Sequence, residues 1–432
     1  MKTKVSKTIL FIIAVSLTAL VVPFVLYSAK PVKEAFNDAS FVISSNGEEV
    51  LEKTEGETLA VWIATVYNLN FHTKIGMNKE EVRIEAKEII ENVSSAGMNT
   101  VFLQVRPMAD SFYESDIFPW SELITGVQGK APDYDPLQIF IEEAKKKNIS
   151  VHAWINPYRI TKGSLLSPNT DVNTLSKNHP ARIHPEWVVE YGGALYFNPS
   201  IKEVRQLIID GATEIVKKYD VDGIHMDDYF YPYPVYDGDK KLIFDDSIQF
   251  QAYNGELTLE EWRRFNVNEL IQGLYTSIKI VNQDLKLGIS PFGVWQNSDG
   301  INGGSMTTAG IQGFKDLYAD AVAWINGGYI DYIAPQIYWS FEEENTSFET
   351  VSNWWNNITN GKNIELIPGL AVYKVNSCEL VGWEKITQLQ MQLRYVREKL
   401  NASGAAFYGY NELVSESDGV KLLIEEIKNK NN

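Results

Sequence analysis

From Leu59 onward, short runs of apolar, β-rich residues alternate with longer segments whose apolar positions recur every three or four residues. The short runs are Leu59–Phe71, Asn99–Arg106, Ile149–Asn156, Gly223–Asp228, Lys286–Phe292, Tyr332–Tyr338, Leu366–Tyr373 and Ala405–Asn411. Between them, Lys79–Ala96 carries Val82, Ala86, Ile89, Ile90 and Val93 on one helical face, and Ile201–Lys218 carries Val204, Leu207, Ile208, Ala212 and Ile215. Gly97, Gly327 and Gly361 follow helical segments, where a residue of positive φ ends a helix at least cost. Strands that alternate with helices predict a parallel sheet. Eight such units predict an α/β fold of the (β/α)8 TIM-barrel kind over residues 59–432, with a doubly wound open sheet as the alternative.

The amino end breaks the pattern. Lys2, Lys4 and Lys7 precede an uncharged run from Ile9 to Leu26, which as a helix extends about 27 Å, close to the thickness of a bilayer's hydrocarbon core. A cleaved signal needs small residues before the cut, whereas Tyr27-Ser28-Ala29 puts a bulky Tyr there. Residues 1–29 are therefore expected to anchor an exported chain to the outer face of the cytoplasmic membrane, with secretion as the outcome if the segment is cleaved. Residues 30–58, with Glu48, Glu49, Glu52, Glu55 and Glu57, form a polar, acidic spacer.

Composition narrows the partners. Lys and Arg number 39 against 56 Asp and Glu, a net charge of −17, so nucleic acid is not expected as a partner. A single cysteine, Cys378, excludes an intrachain disulfide and a zinc site built on several thiolates, and is expected as a small buried side chain. No phosphate-cradling glycine loop, His-Glu-x-x-His motif or nucleophile elbow is present, and no cofactor or metal is expected. Asp237, Asp239, Asp245 and Asp246 follow the fourth strand at spacings that match no complete calcium loop, so a solvated acidic loop is expected. Composition does not speak to oligomeric state.

In a barrel the chemistry lies at the carboxyl ends of the strands. There the period-two pattern sets Gln104 with Arg106, His152 with Trp154 and Asn156, His225 with Asp227, and Gln336 with Tyr338 on single faces. A barrel filled only for stability would carry Val, Ile and Leu at such positions. Any one polar residue there is more often a satisfied core group, as for His152, but four strands doing so together points to a site. Tyr158, Tyr229, Tyr231, Trp295, Trp339 and Tyr373 add aromatic rings at or beyond strand ends. Such rings suit the flat C–H faces of sugars.

The stretches Gln104-Val105-Arg106-Pro107, His152-Ala153-Trp154-Ile155-Asn156-Pro157-Tyr158-Arg159, Val221-Asp222-Gly223-Ile224-His225-Met226-Asp227-Asp228-Tyr229 and Ala334-Pro335-Gln336-Ile337-Tyr338-Trp339 fall in barrel order. Together they closely resemble the glycosyl-hydrolase-like family ten. The resemblance, which spans Leu59 to the eighth strand, implies a TIM-barrel hydrolase of envelope or extracellular polysaccharide, with some members acting on peptidoglycan glycan strands stripped of peptides. It also implies an active site at Asp227 and Asp228, surrounded by Arg106, Asn156, Gln336 and Tyr338.

Glycoside cleavage calls for one carboxylic acid to protonate the leaving oxygen and a second carboxylate to attack carbon or activate water. Asp227 is the expected nucleophile, base or stabiliser, and Asp228 acts directly or orients it. Asp110 and Glu412 stand at the same predicted rim as rival second acids. Gln104, Arg106, His152, Trp154, Asn156, Tyr158, His225, Tyr229, Gln336, Tyr338, Trp339 and Tyr373 are expected to contact substrate. The chitinase-type pattern Asp-Gly-x-Asp-x-Asp-x-Glu is met only in part, since His225 and Tyr229 replace its middle Asp and its Glu. Amylase-like barrels place a Glu on the fifth strand, where this chain has no acid. A carbohydrate-binding barrel without catalysis is the alternative, and an esterase or deacetylase ranks last.

Overall fold

The computed structural model describes residues 56–429 apart from 302 and 376. Among these residues, eight parallel strands form the barrel: β1 (Thr58–Ile63), β2 (Thr100–Arg106), β3 (Ser150–Ile155), β4 (Gly223–Met226), β5 (Lys286–Ile289), β6 (Tyr332–Ile333), β7 in two pieces (Glu365–Leu366 and Gly369–Ala371) and β8 (Gly404–Tyr408). Each pairs with its neighbours in chain order, and β1 pairs with β8. Pro368, which has no N–H to donate, divides β7. Its first piece pairs with β6 through Leu366 and Ile333, its second with β8 through Gly369 and Ala406, and the ring is closed. Closure leaves no unpaired edge.

A main helix follows each strand: α1 (Lys79–Ser95), α2 (Pro136–Lys145), α3 (Lys202–Lys218), α4 (Leu259–Val281), α5 (Ala321–Gly327), α6 (Phe348–Thr359), α7 (Gln388–Lys399) and α8 (Asp418–Lys428). Local chemistry starts them. Asn78 caps α1 by accepting from the Glu80 and Glu81 N–H groups, both at 3.0 Å, while the Glu81 carboxylate accepts from the Asn78 N–H. Thr258 and Glu261 repeat this arrangement at α4. The five α1 residues expected on its apolar face are those buried. Gly97 and Gly361 take positive φ, whereas after α5 it is Gly328 and not Gly327 that does so.

Two apolar layers result. Odd-numbered positions of β1, β2 and β3, such as Val61, Leu103 and Ala153, pack outward against the helices. The alternate set, including Ala60, Trp62, Phe102, Trp154, Tyr332, Ala334, Ile367 and Ala406, fills the barrel. Glycine at inward positions makes the room these rings require: a Cβ on Gly288 would lie 1.9 Å from the Tyr332 ring, and one on Gly223 would lie 2.8 Å from His152 Nδ1.

The strands are shorter than the apolar runs, because β1 ends at Ile63 and its chain turns into the rim loop. Cys378, expected to be buried, is exposed. The acidic fourth loop is solvated only in part. Asp237, Asp239 and Asp245 are exposed, but Asp246 is buried and bound by Arg263 through Nε at 2.8 Å and Nη2 at 2.5 Å. Among the described residues no helix is long and apolar enough to cross a membrane, and the expected anchor lies outside them.

Candidate active site

Asp227 follows β4 directly, on the inward side with His225. Its Oδ2 accepts the Trp154 indole N–H at 3.0 Å, both oxygens accept from Asn156 Nδ2 at 3.2–3.3 Å, and Oδ1 accepts the Tyr229 N–H at 3.2 Å. The two side-chain donors come from β3 and its end, so the pairing of β3 with β4 brings them to the carboxylate, while the Tyr229 N–H comes from the turn after β4 itself. Burial pushes the Asp227 pKa up, opposed by the positive charge of Arg159 and by these hydrogen bonds.

Asp228 is equally buried but differently served. The Tyr233 hydroxyl donates to its Oδ2, and Gln336, which also donates to the Ser290 carbonyl at 2.9 Å, bonds to the same carboxyl. Burial, then the neighbouring charge of Asp227, raises Asp228 to about 7. Adjacent carboxyls thus differ in kind: one has a cation and three sets of donors, the other has an anion beside it. Unequal surroundings of this kind let a fold set two carboxyls to different tasks.

Aromatic rings surround the pair. Tyr229 and Tyr233 lie 5.3 Å apart, Tyr233 meets Phe292 at 6.2 Å, and Phe292 meets Trp339 at 5.8 Å. Across the mouth, Tyr338 stacks on Tyr408 at 5.9 Å, with Tyr373 edge-on to both. Tyr408 feels the charges of Asp227, Glu412 and Asp228, which sets Glu412, half-buried on the turn after β8, at the margin of the same mouth.

The structure therefore brings together Asp227, Asp228, Trp154, Asn156, Tyr229, Gln336 and Tyr338, with Trp339, Tyr373 and Glu412 beside them. Other residues in the expected site lie elsewhere. Arg106 is turned away by a bulge: Gln104 pairs with Trp154 but Arg106 pairs with Ile155, so the inside-outside alternation flips. Its guanidinium is buried 4.3 Å from the Phe118 ring centre, where Gly211 of α3 leaves it space. Gln104 braces the rim, its Oε1 accepting from the Thr65 and Val66 N–H groups at 3.1 and 3.0 Å. Tyr158 is buried in the outer layer. Tyr231 is also buried, donating to Asp246, and Trp295 stacks on Trp354 in the same layer. Asp110 is buried in the loop after β2, held by Gln128 at 3.0 Å, and burial raises its pKa to about 6. The charges acting on it are those of Glu122 and Lys162.

His152 and His225 fill the barrel below the mouth. His225 Nε2 accepts the Trp62 indole N–H at 3.0 Å, so its proton is on Nδ1, 2.9 Å from the Tyr332 oxygen, and Tyr332 in turn bonds His152 Nδ1 at 2.8 Å. Burial holds His225 well below the ordinary imidazole range and His152 at about 3, so both are neutral. His225 also stacks on Phe102 at 4.1 Å. His225→Leu is expected to lose about 2–4 kcal/mol in urea unfolding, because it leaves the Trp62 indole N–H unpaired in the core and takes one of the two imidazole partners of the Tyr332 hydroxyl.

Three residues of the mouth lie outside the expected set. Tyr408 shares inward parity with Ala406 on β8, a signal legible in the sequence. Arg159 falls within a quoted motif but past the strand, and Tyr233 lies in a loop where no periodicity operates.

Known proteins agree with this architecture. The family model for glycosyl hydrolase-like 10 matches residues 57–384. Glycosyl hydrolase YngK of Bacillus subtilis (strain 168) is 42% identical over 371 residues, covering 85% of this chain and 71% of the relative. Glycosyl hydrolase DigH of Escherichia coli (strain K12) is 34% identical over 326 residues, 73% of each chain. Among solved structures, the PgaB (BpsB) glycoside hydrolase domain from Bordetella bronchiseptica superposes with a TM-score of 0.53 at 12% identity, over 87% of this chain and all of that one. An endo-beta-1,4-mannanase from Thermotoga petrophila gives 0.51 at 11% identity, over 88% of this chain and 77% of its own. The two structural likenesses establish the barrel fold, and the family match, with the sequence relatives behind it, establishes that this chain belongs to the glycosyl hydrolase-like 10 family.

Proposed function

We propose that the protein hydrolyses O-glycosidic bonds of a cell-envelope or extracellular polysaccharide, peptidoglycan glycan strands among them, with Asp227 as the working carboxylate and Asp228 as the proton donor. The observation that carries this reading is the unequal pair itself: two buried, adjacent carboxyls, one bonded by donors suited to an anion, the other raised to about 7. Asp228 gives its proton to the leaving oxygen while Asp227 attacks the anomeric carbon or draws a proton from water. Developing positive charge on the sugar ring is met by the anion of Asp227. The tyrosines and Trp339 offer faces on which sugar rings stack. Family membership supports the hydrolase class, and the lysine-led apolar segment at the amino end supports export and anchoring at the outer face of the membrane.

The test is release of new reducing ends from peptide-free peptidoglycan strands and from a panel of soluble polysaccharides by the full chain. Cleavage of one of them is the expected result. Retention on a glycan with no cleavage of any would favour the carbohydrate-binding barrel instead.

A further inference from the structure

Arg159 touches two residues that bond to Asp227, Asn156 and Tyr229, its positive charge opposes the rise that burial gives the Asp227 pKa, and its placement is over-determined. Its N–H donates to Asn156 Oδ1 at 3.1 Å, and Asn156 in turn donates to Asp227. Its Nε and Nη2 donate to the Pro107 carbonyl at 3.1 and 3.0 Å, tying the loop after β3 to the end of β2. The guanidinium lies 5.0 Å from the centre of the Tyr229 ring, and the backbone bridges to Tyr196 on a short hairpin. With its backbone held at two points and its guanidinium by the Pro107 carbonyl and the Tyr229 ring, Arg159 has little freedom to follow substrate. Neither Pro107 nor Tyr229 supplies a counter-anion, so the field of this cation falls on the carboxyl pair.

We propose that Arg159 is the positioning residue of the site: a guanidinium locked between the Pro107 carbonyl and the Tyr229 ring that favours the anion of Asp227. Asp227 then faces one cation, Arg159, against the anion of Asp228 when ionised and the hydroxyls of Tyr229 and Tyr408, with Glu412 acting on Tyr408 from the rim. Tyr233 and Tyr338 lie on the Asp228 side, and Lys162 shares the Arg159 loop. Lys162 acts on Glu122 and Asp110, so beside Arg159 the groups that favour charge on Asp227 are the neutral hydrogen bonds of Trp154, Asn156 and the Tyr229 N–H.

The proposal rests on the catalytic reading above only for its kinetic consequence, so the deciding experiment does not require turnover. The carboxyl ¹³C resonance of Asp227, identified by its loss in Asp227→Asn, is titrated in full-length wild type, Arg159→Gln and Arg159→Lys. The glutamine variant is expected to titrate about one pH unit higher than wild type, and the lysine variant, which keeps the charge, close to wild type. In parallel, the acidic limb of kcat/KM should move up by the same interval, about a tenfold relative loss one unit below the wild-type midpoint. Coincident midpoints in all three proteins would overturn the proposal. So would a lysine variant displaced as far as the glutamine one, since the loop tether and not the charge would then be responsible. Arg159→Met, which retains the apolar stem, replaces the glutamine variant if that one does not fold, and the same outcomes apply. If the midpoint moves but no glycan is cleaved by wild type, the hydrolase reading fails and the role of Arg159 stands.

Discussion

Asp227→Asn is expected to lower glycan cleavage by about 10³-fold or more while leaving the fold and glycan affinity in place. The amide has the shape of the carboxyl, and its single oxygen can still accept from either the Trp154 indole or the Tyr229 N–H, which bond to different oxygens of Asp227, so the packing at the end of β4 is kept at the loss of one neutral hydrogen bond. What is lost is the full negative charge that meets the oxocarbenium-like transition state, together with the oxygen able to attack or to deprotonate water. The check is single-turnover cleavage alongside a binding isotherm on the same glycan. A variant at Asp227 with a small side chain, supplied with azide, would yield an azido sugar and fix the face of attack. Wild-type turnover in Asp227→Asn, together with its loss in Glu412→Gln or Asp110→Asn, would move the centre of catalysis away from β4.

Asp228→Asn is the second large effect, and it should depend on the substrate. Removal of a general acid typically costs about 10²–10⁴-fold. A glycoside with an activated phenol leaves without protonation, so on that substrate the loss should shrink to a small factor. An equal loss on both would mean that Asp228 orients its neighbour and donates no proton. The wild-type rate should fall as the pH rises past about 7, the range in which Asp228 gives up its proton, and the variant should lack this alkaline limb. Stability should run in the same sense. The folded-state pKa of Asp228 is raised from 3.8 to about 7, so the native state binds this proton more tightly than the unfolded chain does. The resulting stabilisation is complete below pH 3.8 and is lost as the pH rises through about 7. Asp228→Asn should therefore raise the melting temperature at pH 8 relative to wild type and gain less at pH 4. A variant less stable at pH 8 would show that Asp228 is not held against its own charge.

That expected gain in stability is the opposite of what His225→Leu should produce, although the two residues are three apart and lie on the same strand end. The difference is depth in the barrel. His225 is a neutral member of a satisfied hydrogen-bonded column, whereas Asp228 is a buried acid next to an anion. Nothing in the spelling His-Met-Asp-Asp distinguishes these environments.

The sequence by itself determined the strand and helix order, the α1 face and the position of Asp227, Trp154 and Asn156 on inward faces, because these follow from local periodicity: two along a strand, 3.6 along a helix. It also carried the family, through motifs whose order is unaffected by how the chain folds. Tertiary structure decided the rest. The bulge at Val105 sent Arg106 outward, and no period-two reading can foresee an extra residue on β2 relative to its partner β3. Whether a polar residue on an inward face lines the mouth or plugs the core was set by its height in the barrel, which separated Asn156 from His152 and Asp227 from His225. Tyr233 and Arg159 reached the carboxyl pair through loop conformation. Most of all, the unequal surroundings of Asp227 and Asp228 arise from burial and from charges and donors contributed by other segments of the chain, interactions that act through space and leave no mark on the local order of residues.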